Sequence, residues 1–262
     1  MSANVLFGAT FNLVTFVGPA VGGIMIAHLG LDVIFYLITA LYLVGIGVLM
    51  LMQPSRQTPA SQGYSAVHDI IEGLAYVRRT PHVRWLVLLG VLLVFAAVYF
   101  PLIPVYARDI LGVGASGYGF LFAAQGAGGL VGAFSMVLAG DIRRKALVLA
   151  VGAVLWGAGM VAFAFSRNFA LSMACVFVMG FVPPWYGTVY RTVLQLAADE
   201  DMRGRVMSIW AISNQMITLG WLLGGVLATA FGNEAALVIG GVVFAGFNLL
   251  ALARSKPLRE IA

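Results

Sequence analysis

Polar side chains inside long apolar stretches are the residues of this 262-residue chain best suited to chemistry. Arg191 is the one charge well within such a stretch, about two helical turns from its end. A guanidinium in that position can bind an anionic group or pair with another helix. Its long stem can also carry the charge to water at the end of the stretch. Arg191 therefore has two interpretations, as a functional residue or as a snorkelling one.

Uncharged polar residues in the other apolar stretches are further candidates, because they can hydrogen-bond a substrate or one another across helices. Prolines that bend a helix lie close to several of them, at 101, 104, 183 and 184. Packing between helices is the alternative role for each. We predict that a substrate cavity is lined by Asn12, Tyr99, Gln125, Tyr186, Tyr190, Arg191, Asn214 and Gln215.

Several kinds of chemistry have no support in the sequence. It contains neither a G-x-x-x-x-G-K-[ST] phosphate loop nor a Gly-x-Ser-x-Gly elbow. No cluster of His, Cys and acidic residues has metal-ligand spacing. We therefore expect no enzyme activity, no cofactor and no metal. An intramembrane enzyme is a distant alternative, since neither a nucleophile nor a base is visible.

Eight apolar stretches must position these residues. Hydrophobic residues make up 61% of the chain and charged residues 10%, whereas soluble domains carry about 25% charged residues. Each stretch has the roughly 20 residues that a helix needs to cross a bilayer, and each is too long for a barrel strand. The sequence predicts an all-α polytopic membrane bundle with spans at 5–27, 33–52, 83–106, 116–138, 146–165, 169–196, 207–230 and 235–253.

Basic residues between the spans indicate the topology. Thirteen Lys and Arg residues fall on the side of the two termini and two, Arg108 and Arg167, on the other. Because positive loops stay in the cytoplasm, we expect a bacterial inner-membrane protein with both termini inside. The net charge of +5 is explained in this way without a nucleic-acid partner. The oligomeric state is open.

Two distant segments repeat each other. Residues 12–30 and 214–232 align without a gap at an offset of 202, matching Gly18 with Gly220 and Gly22-Gly23 with Gly224-Gly225. Equivalent positions are six spans apart, so each half of the parent architecture has six helices. We expect residues 1–53 to be the last two helices of one half and 83–262 to be the other half. Four more helices would complete a twelve-helix protein.

Residues 54–82 link these parts. From Ser65 to Thr80 the apolar residues recur at helical spacing, with charged residues on the other faces. This pattern predicts an amphipathic helix on the cytoplasmic surface. Its role is to tether two bundles, or alternatively to bind a regulatory partner.

Four motifs resemble those of the major facilitator superfamily. GPAVGG at 18–23 is similar to its fifth-helix motif, although Val14 stands where a glycine is expected, and AGDIRRKAL at 139–147 resembles a shortened form of its loop between the eighth and ninth helices. EGLAYVRRTPHVRWL at 72–86 and RGRVMSIW at 203–210 resemble the efflux branch that exports drugs and enterobactin. The resemblance covers essentially the whole chain. It implies alternating access around a central cavity, driven by an ion gradient such as protons.

Glycines and loop charges acquire expected roles from this resemblance. Helices that meet between the halves would pack and gate through Gly18, Pro19, Gly22, Gly23, Gly128, Gly129, Gly132, Gly224 and Gly225. A cytoplasmic latch would be formed by Asp141, Arg143, Arg144, Arg203 and Arg205. Plain helix packing and simple topology charges are the respective alternatives.

The sequence thus predicts a secondary active transporter that exports small molecules, with protons as a possible partner in antiport and the lipid bilayer as its solvent. Two alternatives are open. One is a nutrient-uptake permease of the same fold, because the direction of transport depends on coupling. The other is a truncated membrane protein that does not transport.

Overall fold

The computed structural model describes residues 25, 29, 31–51, 75–140, 142 and 144–254. All regular structure in these ranges is helical. The main elements are α1 (Leu31–Leu51), α2 (Pro81–Val91), α3 (Leu93–Ala96), α4 (Leu102–Val105), a π-helical turn (Tyr106–Ile110), α5 (Gly114–Ala139), α6 (Lys145–Phe165), α7 (Phe169–Ala197), a 3-10 turn (Glu200–Met202), α8 (Arg203–Phe231) and α9 (Asn233–Arg254). The first predicted span lies outside the described residues.

The described helices correspond to the other seven predicted spans. Helices α5, α6, α7 and α9 are long and apolar enough to cross a membrane, and α1, α2–α3 and α8 contain shorter apolar segments. The prediction of an all-α polytopic bundle is therefore confirmed. Of the linker helix expected at 65–80, the structure describes only the part from residue 75, which is helical over 75–79.

Local sequence explains where the helices begin and end. Pro81 occupies the first turn of α2, where its missing N–H has no helical partner to lose. The Asn168 side chain caps α7 by accepting hydrogen bonds from the backbone N–H groups of Ala170 and Leu171 at 2.9 and 3.3 Å. Gly140 and Gly232 follow α5 and α8 with φ of 65° and 89°, a region that favours glycine.

The third predicted span is broken in its middle, close to the two prolines. Residues 97–101 form turns between α3 and α4. The Val98 N–H donates to the Phe95 carbonyl at 3.4 Å and the Leu102 N–H to the Tyr99 carbonyl at 3.0 Å, which departs from α-helical pairing. Pro101 has no N–H to restore that pairing. Interrupted helices of this kind mark binding sites and moving parts in transporters.

Glycines on α8 allow this broken span to approach closely. A Cβ built at Gly220 would lie 2.3 Å from the Val94 carbonyl oxygen, and one at Gly224 would lie 2.4 Å from the Val98 oxygen. No side chain fits between α8 and these carbonyls. By contrast, a Cβ at Gly225 would meet nothing within 4 Å. The repeat motif therefore contributes two packing glycines and one open glycine.

A second glycine interface joins α5 to α7. A Cβ at Gly128 would collide with the Phe177 carbonyl oxygen and one at Gly132 with that of Phe181. These two glycines therefore contact α7, two helices further along the chain. Gly129 is buried nearby. The expected contact of this helix with the first span stays a prediction, because Gly18, Pro19, Gly22 and Gly23 lie outside the described residues.

Polar contacts mark the two ends of the bundle. Arg167, just before α7, pairs with Glu234 at the start of α9. The Tyr76 hydroxyl donates to the Asp199 carboxylate at 3.0 Å and accepts the Asp199 backbone N–H at 3.2 Å. The end of the linker and the segment between α7 and α8 thus lie at the same end of the molecule, as the alternating topology requires.

Candidate functional site

The exposed surface of the bundle includes an apolar part. Every exposed residue of α6 is apolar, and so are the exposed large side chains of α5 and, between the charged residues Glu234 and Arg254 at its two ends, those of α9. In α6 these exposed residues are Leu147, Val151, Val154, Leu155, Ala158, Ala162 and Phe165. In a membrane protein an apolar surface of this kind is suited to face lipid. Helix α1 is also exposed along its length, with only Ile34 half-buried among its described side chains.

Helix α7 carries a polar stripe in the half that leads to Ala197. Thr188, Arg191 and Gln195 are exposed, and Thr192 between them is half-buried. Their spacing of three and four residues places them on one side of the helix. Polar groups exposed to hydrocarbon are costly, so this side of α7 does not face lipid.

Helix α8 carries a second polar stripe. Ser208, Gln215 and Thr218 are exposed at intervals of seven and three residues, which again selects one side of the helix. The two stripes lie on helices that contact each other. We name their exposed members the polar face, formed by Thr188, Arg191, Gln195, Ser208, Gln215 and Thr218.

Arg191 joins the two helices. Its guanidinium carbon lies 4.6 Å from the centre of the Trp210 ring of α8, a cation–π contact. A groove of about 330 Å³ is lined by Thr192, Gln195, Leu196, Gly204 and Met207. Gln195 and Met207 lie about one helical turn from Arg191 and Trp210, so the groove is next to this pair. Its size is at the lower end of small-molecule sites. Arg191 is therefore exposed beside a cavity and anchored by an aromatic ring.

Aromatic side chains continue from this region along α8. Trp221 is 49% exposed and its ring lies 5.5 Å from that of Phe100 in the broken span. Phe100 in turn lies 6.4 Å from Phe122, which contacts Tyr118 on α5 at 4.9 Å. Trp210 and Trp221 are eleven residues apart, which places them on one side of α8 about 16 Å from each other.

The broken span and α5 share a buried polar pair. The Gln125 side-chain amide donates to the Tyr99 hydroxyl at 2.6 Å. Gln125 Oε1 and the nearby Trp156 Nε1 are buried and lack a hydrogen-bond partner among the described residues. The Trp156 ring lies 6.4 Å from that of Tyr99. The Gln125 acceptor and the Trp156 donor, both near Tyr99, therefore form a small polar region inside the bundle.

Two predicted cavity tyrosines lie in the packed interior. The Tyr186 hydroxyl donates to Asn248 Oδ1 of α9 at 2.7 Å, and the Tyr190 hydroxyl donates to the Leu86 carbonyl at 2.8 Å. Both side chains are 2% exposed. In this conformation their hydroxyl groups hold helices together and do not reach the polar face.

The remaining predicted residues divide by position. Gln215 lies on the polar face and Arg144 is exposed before α6. Nothing is described for Asn12, Asp141 or Arg143, or for the side chains of Asn214, Arg203 and Arg205. Their proposed roles in the cavity and the latch stay predictions.

Sequence reasoning missed part of this site. The predicted cavity residues do not include Thr188, Gln195, Ser208, Thr218 or Trp210. Their helical spacing was visible in the sequence. Asn248, fully buried in α9, also escaped notice because its partner Tyr186 is 62 residues away.

Comparison with known proteins agrees with this architecture. Residues 1–261 match the transmembrane secretion effector family. The chain belongs to this family of major facilitator transporters. The resemblance found in the motifs is therefore confirmed.

Similar proteins include exporters. The chain is 28% identical over 244 residues to the multidrug efflux pump Tap of Mycolicibacterium fortuitum, covering 90% of this chain and 59% of that protein. It is 30% identical over 267 residues to Tap of Mycobacterium tuberculosis H37Rv, with coverage of 98% and 62%. It is 26% identical over 269 residues to the enterobactin exporter EntS of Escherichia coli O1:K1, with coverage of 99% and 63%. The chain thus spans about three fifths of the length of these relatives.

Proposed function

We propose that this chain works in a secondary active transporter that exports small molecules across the bacterial inner membrane. The observation that carries the proposal is the polar face. Helices α7 and α8 expose an arginine and neutral polar side chains within their spans, whereas every exposed residue of α6 is apolar. A bundle with this contrast has one side suited to water and solutes. The efflux pumps and the enterobactin exporter among its relatives support the outward direction.

Alternating access would use the broken span and α8. Rocking of helical groups around a fixed site is the usual mechanism of such transporters. Gly220 and Gly224 let α8 contact backbone carbonyls of the broken span without intervening side chains. Such an interface can slide or separate with little repacking. Substrate would shift the equilibrium only as far as it binds the two states with different affinity.

The domain division and the orientation belong to the same proposal. Residues 1–53 would close one half, 54–82 would form the cytoplasmic linker, and 83–262 would form the other half. Coupling to protons would need a carrier outside the spans of this chain, since none contains Asp or Glu. Tyr or His residues at the ends of the spans, or acidic residues on four further helices, would then carry the proton.

Vesicle transport tests the function. Inside-out vesicles should accumulate a fluorescent substrate under an imposed proton gradient when they contain the chain extended by four N-terminal helices. The same measurement on the chain alone shows whether it transports without them. Substrate efflux from inside-out vesicles would instead indicate uptake into the cell. Failure to move substrate in either version would reject the transporter.

Cysteine labelling tests the polar face separately. In a Cys175→Ala background, we expect a hydrophilic maleimide to modify Thr188→Cys and Ser208→Cys in intact membranes, because these positions face water. Val154→Cys, exposed on α6, is the matched control and should react poorly because it faces lipid. Equal labelling of all three would mean that the polar face is not a hydrated surface.

A further inference from the structure

Arg191 lacks a protein counter-ion among the described residues. Neither α7 nor α8 contains an Asp or Glu, so neither helix supplies a carboxylate. Asp199, just beyond α7, is hydrogen-bonded to Tyr76. The neighbours of Arg191 on the α7 stripe are the neutral residues Thr188 and Gln195. Within the part of the chain that the structure describes, the polar face therefore presents a positive charge without a carboxylate partner.

The cation–π contact with Trp210 leaves the guanidinium able to bind. Its carbon lies over the ring, and such a contact does not require the N–H donors, which point outward in the plane of the group. Those donors match carboxylate and sulfonate groups, which can accept two parallel hydrogen bonds. Arg191 is thus held in place by Trp210 and still available to an anion.

The surroundings favour a flat, apolar body attached to that anion. The groove beside Arg191 is lined by Leu196 and Met207 as well as by Thr192 and Gln195. Further along α8, Trp221 is half exposed and its ring lies 5.5 Å from that of Phe100. Aromatic rings at both places can stack with an aromatic solute as it moves along the helix.

We propose that the transported substrates are small aromatic anions, with Arg191 binding the acidic group and Trp210 contacting the aromatic part. This inference rests on the proposed exporter function. The substrates inferred here are anions. They differ in charge from the lipophilic cations that acidic side chains within a membrane would attract. An anionic lipid headgroup presents the same chemistry to Arg191, so the experiment must separate the two sources.

Binding of two matched dyes tests the charge. 8-Anilinonaphthalene-1-sulfonate and N-phenyl-1-naphthylamine share one chromophore and differ by the sulfonate. For the full chain purified in uncharged detergent, we expect Arg191→Gln to weaken binding of the sulfonate by at least about tenfold, the usual scale of a charged hydrogen bond, and to leave the neutral dye unchanged. Arg191→Lys should restore part of the affinity.

Control variants and lipids decide the interpretation. Arg254→Gln removes an exposed charge at the end of α9 and should leave both affinities unchanged. An unchanged sulfonate affinity in Arg191→Gln would overturn the proposal. So would complete displacement of the sulfonate by small amounts of phosphatidylglycerol in the micelle, because the site would then belong to a lipid headgroup.

Export measurements separate this inference from the proposed function. Cells expressing the transporter should export the sulfonate dye, and Arg191→Gln should lose that export. Export of the cation ethidium alone, unaffected by Arg191→Gln, would refute the substrate class and leave an exporter. If the cells export neither dye and no other tested solute, the proposed transport function itself is rejected, whatever the binding data show.

Discussion

Adding one methyl group to α8 should destabilise the protein at Gly224 and not at Gly225. The Cβ of Gly224→Ala would lie 2.4 Å from the Val98 carbonyl oxygen and 2.8 Å from Cγ of Pro101. Both are parts of the broken span that cannot rotate away. The Cβ of Gly225→Ala would meet nothing within 4 Å. The two variants are one residue apart on the same helix and receive the same methyl group.

The expected difference follows from packing. Gly→Ala improves helix propensity by up to about 1 kcal/mol, and this gain is common to both variants. Overpacking a well-packed contact costs about 1–3 kcal/mol, and this cost applies to Gly224 alone. The free energies of unfolding should therefore differ by about 1–3 kcal/mol. For a chain of this size the midpoints should differ by roughly 2–12 °C.

A temperature series measures the difference. The purified variants are heated in mild detergent, and the monodisperse fraction that survives is read by size-exclusion chromatography. Gly225→Ala should match or exceed the unmodified protein, and Gly224→Ala should melt first. Gly220→Ala, which faces the Val94 carbonyl, should follow Gly224→Ala. Equal midpoints for the Gly224 and Gly225 variants would show that α8 does not contact the broken span as described.

Three further outcomes are expected. Tyr99→Phe should lower the free energy of unfolding by about 1–3 kcal/mol, because it leaves the buried Gln125 amide without its hydrogen-bond acceptor. Adding Gln125→Leu should recover part of this loss. Additive effects of the two substitutions in a double-mutant cycle would contradict the 2.6 Å hydrogen bond. Arg167→Gln should lower the free energy of unfolding by less than about 1 kcal/mol, since the ion pair of Arg167 with Glu234 is exposed. This decrease should be smaller in about 1 M salt, which screens the pair. A decrease of more than about 3 kcal/mol would refute the interpretation. Cys175, 7% exposed, should resist maleimide in mild detergent and react fully in SDS, and rapid labelling of the folded protein would refute its burial.

The position of the spans was predictable because a membrane helix needs only a run of apolar residues of sufficient length. That run is a property of the local chain, as is the tendency of Pro101 and Pro104 to interrupt it. The family could be recognised for the same reason, since its motifs are short and contiguous. Seven of the eight expected spans coincide with described helices, and the eighth lies outside the described residues.

Which side of each helix faces which neighbour was decided by the tertiary structure. Tyr186 and Tyr190 looked like cavity residues, yet partners 62 and 104 residues away hold them inside the bundle. Arg191 could equally have extended to the end of its span, and the contact with the Trp210 ring on the next helix places its guanidinium within the polar face. Apolar composition favours insertion of a helix into the bilayer. It does not determine how the helix is rotated about its axis, because nearly every side of such a helix is hydrophobic. Rotation is set by close contacts such as those of Gly220 and Gly224, which exist only once both helices are in place.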